Sequence, residues 1–153
     1  MDTDAELIQV KAHTALHLVK GAVRKVLGTK WTSSVKQKGD KGILTVKSSR
    51  APSEDEKKRI QELVDEKIRQ DVAILVHQID RVEAEKQWGD EIYDLFPLPQ
   101  SITKLFVLEI PDWNLNCCRE KHLKSTGEFG SVSITKFKFN ENKELFEVTF
   151  TVT

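Results

Sequence analysis

Two histidines, His13 and His17, stand four residues apart inside an uninterrupted helical pattern that runs from about residue 5 to residue 27. Four residues are close to one helical turn, so the two imidazole rings project from the same side of a helix. Such a pair can present two ring nitrogens to one metal ion, as helix-borne zinc pairs do. Two surface histidines give the same pattern, so a second half-site is needed before the pair indicates a metal centre.

The chain has such a half-site, the segment Cys118-Arg119-Glu120-Lys121-His122, where a cysteine and a histidine are again four residues apart. Together the two half-sites contain three of the four histidines and one of the two cysteines in the chain. One sulfur and three imidazoles form a favourable ligand set for Zn²⁺. The residues therefore predict one shared zinc site, with His13, His17, Cys118 and His122 as its ligands.

The helix that carries the first half-site has an apolar stripe for the core, and the two histidines fall on the polar flank of that stripe. Thr3 with Glu6 and Ser53 with Glu56 have capping-box spacing, which predicts the starts of two helices. We also expect a brief helix capped by Asp80 and a glycine-punctuated turn at residues 124–130. The predicted strands are residues 31–37, 43–47, 72–79, 105–110, 132–139 and 146–152, with the first pair and the last pair forming hairpins.

Helices and antiparallel hairpins without strict βαβ alternation predict an α+β fold, an antiparallel-rich sheet packed with the long N-terminal helix and the second helix. The length of 153 residues predicts a single domain that spans residues 1–153. Cys117 and Cys118 are adjacent and cannot build a disulfide framework, and no apolar run is long enough to span a bilayer. We therefore expect a cytoplasmic chain with no membrane partner, in a compartment where cysteines bind metal or react.

The charge of the chain is balanced, with 24 basic and 24 acidic residues, but its distribution is uneven. Residues 1–50 carry ten lysines and arginines against four acidic residues, so the first third has a local excess of positive charge. Lys20, Arg24 and Lys25 follow the first half-site on the same helix and predict a basic surface that contacts phosphate groups. A merely solvated helix face is the alternative interpretation of these three residues.

Three motifs carry a resemblance to a known family, and they occur in the same order and at similar spacing. They are His13-Thr14-Ala15-Leu16-His17, the pair Cys118 and His122, and Thr126-Gly127-Glu128-Phe129-Gly130. The chain resembles the editing domain of alanyl-tRNA synthetase and, more closely, the free-standing AlaX proteins in their shortest form. The resemblance implies an editing-domain-like fold and a zinc-dependent hydrolase that deacylates misacylated tRNA for alanine, chiefly its seryl form and secondarily its glycyl form. It also implies that the phosphates contacted by Lys20, Arg24 and Lys25 are those of tRNA. Threonyl-tRNA synthetase editing domains share both half-motifs, so threonyl-type editing is the alternative substrate class.

The middle of the second half-motif departs from the family pattern, because synthetase editing domains commonly have Cys-Gly-Gly-Thr-His at that place. The flexible Gly-Gly backbone and the threonine hydroxyl of that pattern are absent here. Thr14, Thr126 and Gly127 are the predicted substrate-binding residues, and the hydroxyls of the two threonines are the candidates for hydrogen bonds to a seryl hydroxyl or amine. For each of the two threonines, a hydroxyl that only stabilises the helix or the turn is the competing interpretation.

The number of protein ligands leaves the chemistry of the site open. Zn²⁺ can acidify a bound water and polarise an ester carbonyl, but catalytic zinc usually keeps one position free of protein ligands. Either His122 is distant or displaced, or the metal becomes five-coordinate, or the metal anchors the substrate without activating water. A zinc-stabilised RNA-binding module without catalysis is the rival function, and a redox sensor is a weaker one because no motif positions a resolving thiol.

Overall fold

The computed structural model describes residues 4–96 and 98–153 of the chain. The elements in chain order are α1 (Asp4–Leu27), β1 (Thr32–Lys38), β2 (Lys41–Lys47), α2 (Glu54–Gln70), β3 (Leu75–Asp80), α3 (Arg81–Trp88), β4 (Lys104–Ile110), β5 (Asn114–Cys117), a 3₁₀ turn (Thr126–Phe129), β6 (Val132–Asn140) and β7 (Leu145–Val152). The capping box predicted for Thr3 and Glu6 depends on Thr3, which lies outside the described residues.

The strands form two antiparallel sheets, where the sequence predicted one. The larger sheet has the order β1-β2-β7-β6, and the smaller has the order β3-β4-β5. Both predicted hairpins are confirmed: β1 pairs with β2 from Lys38 and Lys41 outward, and β6 pairs with β7 across the turn after Asn140. The predicted α+β class is confirmed, with the long N-terminal helix and the second helix packed on the sheets.

The main core lies between α1, α2, the four-stranded sheet and one face of β4. Its largest fully buried side chains include Phe129, Phe146 and Phe150, which fill the space between the sheet and the helices. A second, smaller core lies on the other face of β4, where Ala84 of α3 packs with Ile92 and Tyr93. This places Tyr93, in the loop after α3, against the smaller sheet, whereas Phe96 of the same loop is 75% exposed.

The second helix begins as its sequence predicted. The Ser53 hydroxyl accepts the backbone N–H of Glu56 at 3.2 Å, and the Glu56 carboxylate accepts the backbone N–H of Ser53 at 2.9 Å. Both halves of the capping box are therefore present. The cap predicted for the short helix is different, since Asp80 stands at the N-cap but its side chain makes no cap hydrogen bond. Its carboxylate pairs with Lys104 on the neighbouring strand instead.

The strand β5 was not predicted from the sequence, and it packs against α1. Its residues Asn114 and Asn116 are buried and turn toward α1. Just before it, Trp113 lies across α1 at Gly21, where an added Cβ would stand 2.2 Å from the Trp113 ring. The middle of α1 is therefore covered on two sides, with every residue from Thr14 to Val23 buried. Within the described part of the chain, no helix has both the length and the apolar character needed to cross a bilayer.

Candidate metal centre

The structure brings the four predicted ligands together. One ligand atom from each of His13, His17, Cys118 and His122 lies within 4.8 Å of all the others. The ring centroids of the three histidines are 5.1 to 5.6 Å apart, and His13 Nε2 is 3.2 Å from the sulfur of Cys118. His122 is thus not distant from the other three residues. Three nitrogens and one sulfur around a common centre form a donor set that fits a metal ion such as zinc.

The two nitrogens of His122 give independent support for a ligand at this centre. Both are buried, and neither has a hydrogen-bond partner among the described residues. Buried polar nitrogens without partners are rare in folded proteins, because each has given up its hydrogen bonds to water without gaining a replacement, and this destabilises the fold. A metal ion at the centre of the cluster would satisfy one of them directly.

His17 is oriented by a neighbour on β5. The side-chain amide of Asn114 lies 3.1 Å from His17 Nδ1, and both residues are buried, so Nε2 is the nitrogen that faces the cluster. In the recorded orientation the amide nitrogen of Asn114 faces His17 Nδ1. A neutral His17 that keeps the Nε2 lone pair for a metal carries its proton on Nδ1, and this requires the Asn114 amide to be turned over so that its oxygen accepts that proton. Such second contacts to metal-binding histidines fix both the tautomer and the ring orientation.

The electrostatic setting favours imidazoles without an extra proton. Burial lowers the pKa of His17 well below its ordinary value, and the neighbouring rings of His122 and His13 lower it further. Burial also lowers the pKa of His13, and it brings the pKa of His122 to about 4 with help from His13. Neutral imidazole is the form that binds metals, so all three rings are in the binding form at neutral pH.

The two cysteines differ in their position relative to the cluster. Cys118 contributes its sulfur, whereas Cys117 packs with the second core around Tyr93 and Leu105. Burial raises the pKa of the Cys117 thiol to about 11, and the carboxylate of Asp94 contributes to that increase. Thiolate is the reactive form of cysteine, so Cys117 lacks the low pKa of a redox sensor.

Thr14 and Thr126, two of the residues predicted to contact the substrate, are fully buried, and their hydroxyls are engaged with the backbone. Thr14 Oγ1 donates to the carbonyl of Val10 at 2.6 Å and accepts the N–H of Leu123 at 3.1 Å. Because Leu123 directly follows His122, this hydroxyl ties α1 to the ligand loop. A substrate contact would have to displace these partners, so for Thr14 the structure favours the stabilising interpretation.

Thr126 makes an equivalent link between α2 and the 3₁₀ turn. Its hydroxyl donates to the carbonyl of Lys67 at 2.6 Å and accepts the N–H of Val72 at 2.8 Å. The N–H of Gly127 donates to the Asp71 carboxylate, and an added Cβ at Gly127 would stand 2.5 Å from that carboxylate. The motif Thr126-Gly127 therefore closes the end of α2, and its predicted substrate role remains a prediction.

The three predicted tRNA-binding residues do not share one environment. Lys25 is exposed, and Arg24 is partly exposed and pairs with Glu91 at 3.2 Å. Lys20 lacks the exposure that a phosphate contact requires: only 7% of this residue is accessible, because β5 covers its side of α1. Its Nζ donates to Asp94 at 2.9 Å and to Asn116 at 2.8 Å.

One hydroxyl that the sequence did not single out has the properties of a binding group. Thr32, at the start of β1, is 4% accessible, and its Oγ1 has no hydrogen-bond partner among the described residues. Its carbonyl accepts the N–H of Leu95 at 2.9 Å, next to Asp94. In the sequence this threonine is one polar residue in a strand, and nothing in the strand pattern indicates that its hydroxyl would be left unpaired.

A cavity of about 420 Å³ opens beside His13. Its other lining residues are mostly polar: Glu6, Gln9, Val10, Gln37, Glu120 and Lys121. The two half-sites supply one wall each, because α1 carries His13 and the ligand loop carries Glu120. Of the four proposed ligands, His13 is the one that lines this cavity.

No family model matches the sequence. Individual relatives do match, and they share one description. The chain is 32% identical to an alanine–tRNA ligase of Methanopyrus kandleri over 135 residues, which are 88% of this chain and 14% of the relative. It is 32% identical to the alanine–tRNA ligase of Thermofilum pendens over 139 residues, or 90% of this chain and 15% of the relative. The corresponding protein of Hyperthermus butylicus is 30% identical over 150 residues, or 97% of this chain and 16% of the relative.

The chain belongs to the alanyl-tRNA editing-domain family. The matched region is the editing domain of the much longer synthetases, and it covers nearly the whole of this chain. The chain spans about one seventh of the length of the relatives it matches, so the activity and partners of the complete synthetases do not transfer to it as such.

Proposed function

We propose that this editing domain is a zinc-dependent hydrolase that deacylates misacylated tRNA for alanine, chiefly the seryl form and also the glycyl form. The observation that carries the proposal is the cluster of His13, His17, Cys118 and His122, whose ligand atoms lie within 4.8 Å of one another. The relatives described as alanine–tRNA ligases supply the substrate class. We expect tRNA as the partner and the cytoplasm as the compartment.

The ligand set suits zinc better than Mg²⁺ or Ca²⁺, because those ions prefer oxygen and the cluster offers three nitrogens and a sulfur. When bound, Zn²⁺ would acidify a water and polarise the ester carbonyl. The chain's own contribution is to hold the ligands rigidly: Asn114 orients His17, and Thr14 fixes the backbone after His122. Coordination by all four ligands requires a fifth position or the release of one ligand for catalysis.

The seryl hydroxyl needs a partner that the alanyl group does not use. Thr32 is the buried hydroxyl without a partner among the described residues, so we assign the serine contact to Thr32 in preference to Thr14 or Thr126. A site that must pair with a substrate hydroxyl rejects the analogue that lacks it, since the site's own polar group is then left unpaired. Thr32→Val should reduce seryl hydrolysis and keep zinc, whereas Thr32→Ser should retain both.

A closed set of four protein ligands is also the arrangement of structural zinc sites, and this favours a non-catalytic RNA-binding module as the second candidate. The two functions are separated by incubating the protein with an excess of tRNA for alanine charged with serine, glycine, alanine or threonine. The editing hydrolase releases serine over many turnovers and spares the alanyl ester. A module binds the tRNA without releasing the amino acid, and preferential release of threonine would indicate the threonyl-type activity.

The matched variants for this assay are Cys118→Ser and Cys117→Ser. The first changes a proposed ligand, and the second changes its neighbour in the second core. We expect Cys118→Ser to lose zinc and activity together, while Cys117→Ser keeps about one zinc per chain. Equal losses in both variants would contradict the proposed ligand set.

A further inference from the structure

One side of the four-stranded sheet faces away from the helices that cover its other side. In β2 the side chains of Leu44 and Val46 belong to the main core, so the residues that alternate with them point to the opposite side. The strand registers align these residues with the alternate residues of β1, β7 and β6, and none of that set belongs to either core. We call this side of the sheet the outer face.

The outer face is strongly basic. Its lysines come from three strands, and they are Lys36, Lys38, Lys41, Lys47, Lys136 and Lys138. Among the described residues of these strands, the acidic residue that shares this face is Glu147, while Asp40, Glu141 and Glu144 lie in the hairpin turns at the ends of the sheet. No ion pair between described residues engages any of these lysines. Their positive charge is therefore not neutralised within the fold.

Lysines on a sheet can also have a protective role, because charged edge strands prevent one sheet from pairing with another. The strands β1 and β6 are the two edges of this sheet, so protection accounts for the lysines on those strands. It does not account for Lys41 and Lys47, because β2 is paired on both sides. A surface for a polyanion accounts for all of these lysines together.

The arrangement of the lysines suits a ligand with two lines of negative charge. The registers align Lys36 of one edge with Ile43, Thr149 and, at the other edge, Lys136. With neighbouring strands about 4.8 Å apart, the two lysines of this row are attached about 14 Å from each other. The middle of the row has shorter side chains, so the long lysine side chains border a shallow central strip.

An A-form RNA duplex has the matching form. Its minor groove is wide and shallow, it lies between two phosphate backbones, and proteins bind it through phosphates and 2′-hydroxyls. The lysines at the two edges of the outer face can contact the two backbones. Ser34, Ser133 and Thr151 add hydroxyls on the same face that are exposed or partly exposed and can bond to phosphates or 2′-hydroxyls.

The strand β1 connects the outer face with the region of the metal centre. Gln37 points to the side opposite to Lys36 and Lys38, and it lines the cavity beside His13. One edge strand therefore has the cavity on one side and the basic lysines on the other. The unpaired 3′ end of a duplex on the outer face would have to pass only this edge strand to reach the cavity.

The basic residues at the end of α1 have more acidic surroundings. Arg24 and Lys25 line a cavity of about 560 Å³ together with Glu91, Glu109 and Asp112. These carboxylates offset the positive charge there. The outer face is thus the more favourable of the two surfaces for a polyanion.

We propose that the outer face binds the backbone of an A-form RNA duplex, with the lysines of its two edges on the phosphates of the two strands. In the proposed function this duplex is the acceptor stem of the tRNA, and that part of the inference rests on the proposed function. The contacts recognise the charge and shape of the duplex and not its base sequence.

The test measures the binding of a fluorescent, uncharged RNA hairpin that has the acceptor-stem sequence and an unpaired 3′ end. Anisotropy titrations at several salt concentrations give the slope of log affinity against log salt. Lys36→Gln combined with Lys136→Gln removes one lysine from each edge. We expect the affinity at about 50 mM salt to fall by about tenfold or more, and the slope to decrease by about two, one for each lost phosphate contact.

Two further double variants make this result specific. Lys38→Gln with Lys138→Gln removes a second pair from the same edges and should have a similar effect. Lys58→Gln with Lys86→Gln removes two exposed lysines of α2 and α3 and should leave the slope unchanged. Circular dichroism and zinc content should be those of the wild type in every variant. A DNA hairpin of the same sequence should bind more weakly than the RNA, since its groove shape differs.

Four results would overturn the proposal. The first is a wild-type protein that does not bind the hairpin. The second is a wild-type slope in both outer-face variants, which would leave the lysines as protection of the sheet edges. The third is an equal decrease of the slope in the variant of Lys58 and Lys86, which would assign the binding to overall charge. The fourth is a loss of binding to vesicles of phosphatidylserine and phosphatidylcholine with retained RNA binding, which would make the outer face a membrane surface.

These outcomes are separate from those of the proposed hydrolase. The hairpin carries no amino acid, so its binding does not depend on catalysis. Protein that releases serine from seryl-tRNA equally well with and without the outer-face lysines keeps the hydrolase and refutes this surface. Protein that binds the hairpin through these lysines and releases no serine refutes the hydrolase and supports this surface.

Discussion

Thr14→Val separates the two roles that a threonine between metal ligands can have. Valine has nearly the same shape, so the substitution removes the hydroxyl and leaves the packing of this fully buried residue intact. The structure gives that hydroxyl two backbone partners, and the important one is the N–H of Leu123 at 3.1 Å. The carbonyl of Val10 keeps a hydrogen bond after the substitution, because it also accepts the backbone N–H of residue 14 within the helix.

The predicted cost follows from the partner that remains. A buried N–H without an acceptor costs about 1–3 kcal/mol of the free energy of unfolding. For a chain of this size each kcal/mol corresponds to about 2–4 °C in melting temperature, so Thr14→Val should melt about 2–12 °C lower. Because Leu123 follows His122, the loop that holds this ligand should loosen, and zinc affinity should fall by about tenfold, as for other residues that support metal ligands.

The assay is chemical denaturation together with competition for zinc against a chromophoric chelator. Thr14→Ser is the matched control, since it keeps the hydroxyl and removes one buried methyl group. It should retain zinc affinity and lose only about 0.5–1.5 kcal/mol of stability. A Thr14→Val protein with wild-type stability and zinc affinity but with reduced seryl hydrolysis would refute this reasoning and identify Thr14 as a substrate contact.

Three further predictions concern packing, acid stability and tRNA binding. Gly21→Ala should destabilise the fold by about 1–3 kcal/mol, because the added Cβ would lie 2.2 Å from the ring of Trp113; an unchanged urea midpoint would contradict this contact. The pKa of Glu56 is lowered to about 2, chiefly by its hydrogen bond with an arginine, so its contribution to stability is present above about pH 4.5 and is lost as the pH falls toward 2. Glu56→Gln should therefore flatten the acid dependence of unfolding in that interval, and a curve that parallels wild type would count against it. Reversing the charges of Arg24 and Lys25 should weaken tRNA binding and reduce its salt dependence, whereas unchanged affinity in a folded variant would mean that this face is only solvated.

The two metal half-sites could be predicted from the sequence because the geometry within each half-site is local. A separation of four residues on a helix fixes the relative direction of His13 and His17 whatever the rest of the chain does. The capping box at Ser53 could be predicted for the same reason, since both of its hydrogen bonds join residues that are three positions apart. That Cys118 and His122 join the first pair depends on distant contacts, and it was inferred from the chemistry of the residues and not from geometry.

The contacts that cover α1 could not be predicted from the sequence. Asn114 and Asn116 are of a type depleted in strands, so no strand pattern indicated β5, although its four residues cover the second side of α1. Helical periodicity placed Lys20 on a solvated flank, and only the tertiary contact with β5 buries it. The unpaired hydroxyl of Thr32 is likewise a property of the assembled fold, because a sequence does not reveal which hydroxyl will lack a partner.

The most direct test of the central claim is the metal dependence of turnover. The protein is freed of metal with a chelator and mixed with a tenfold excess of seryl-tRNA for alanine, and Zn²⁺ is then added in steps up to one equivalent per chain. The account predicts that the metal-free protein is inactive and that serine release rises in proportion to zinc bound, reaching its maximum near one equivalent. Full activity in the metal-free protein, or one tightly bound zinc with no release of serine, would contradict it.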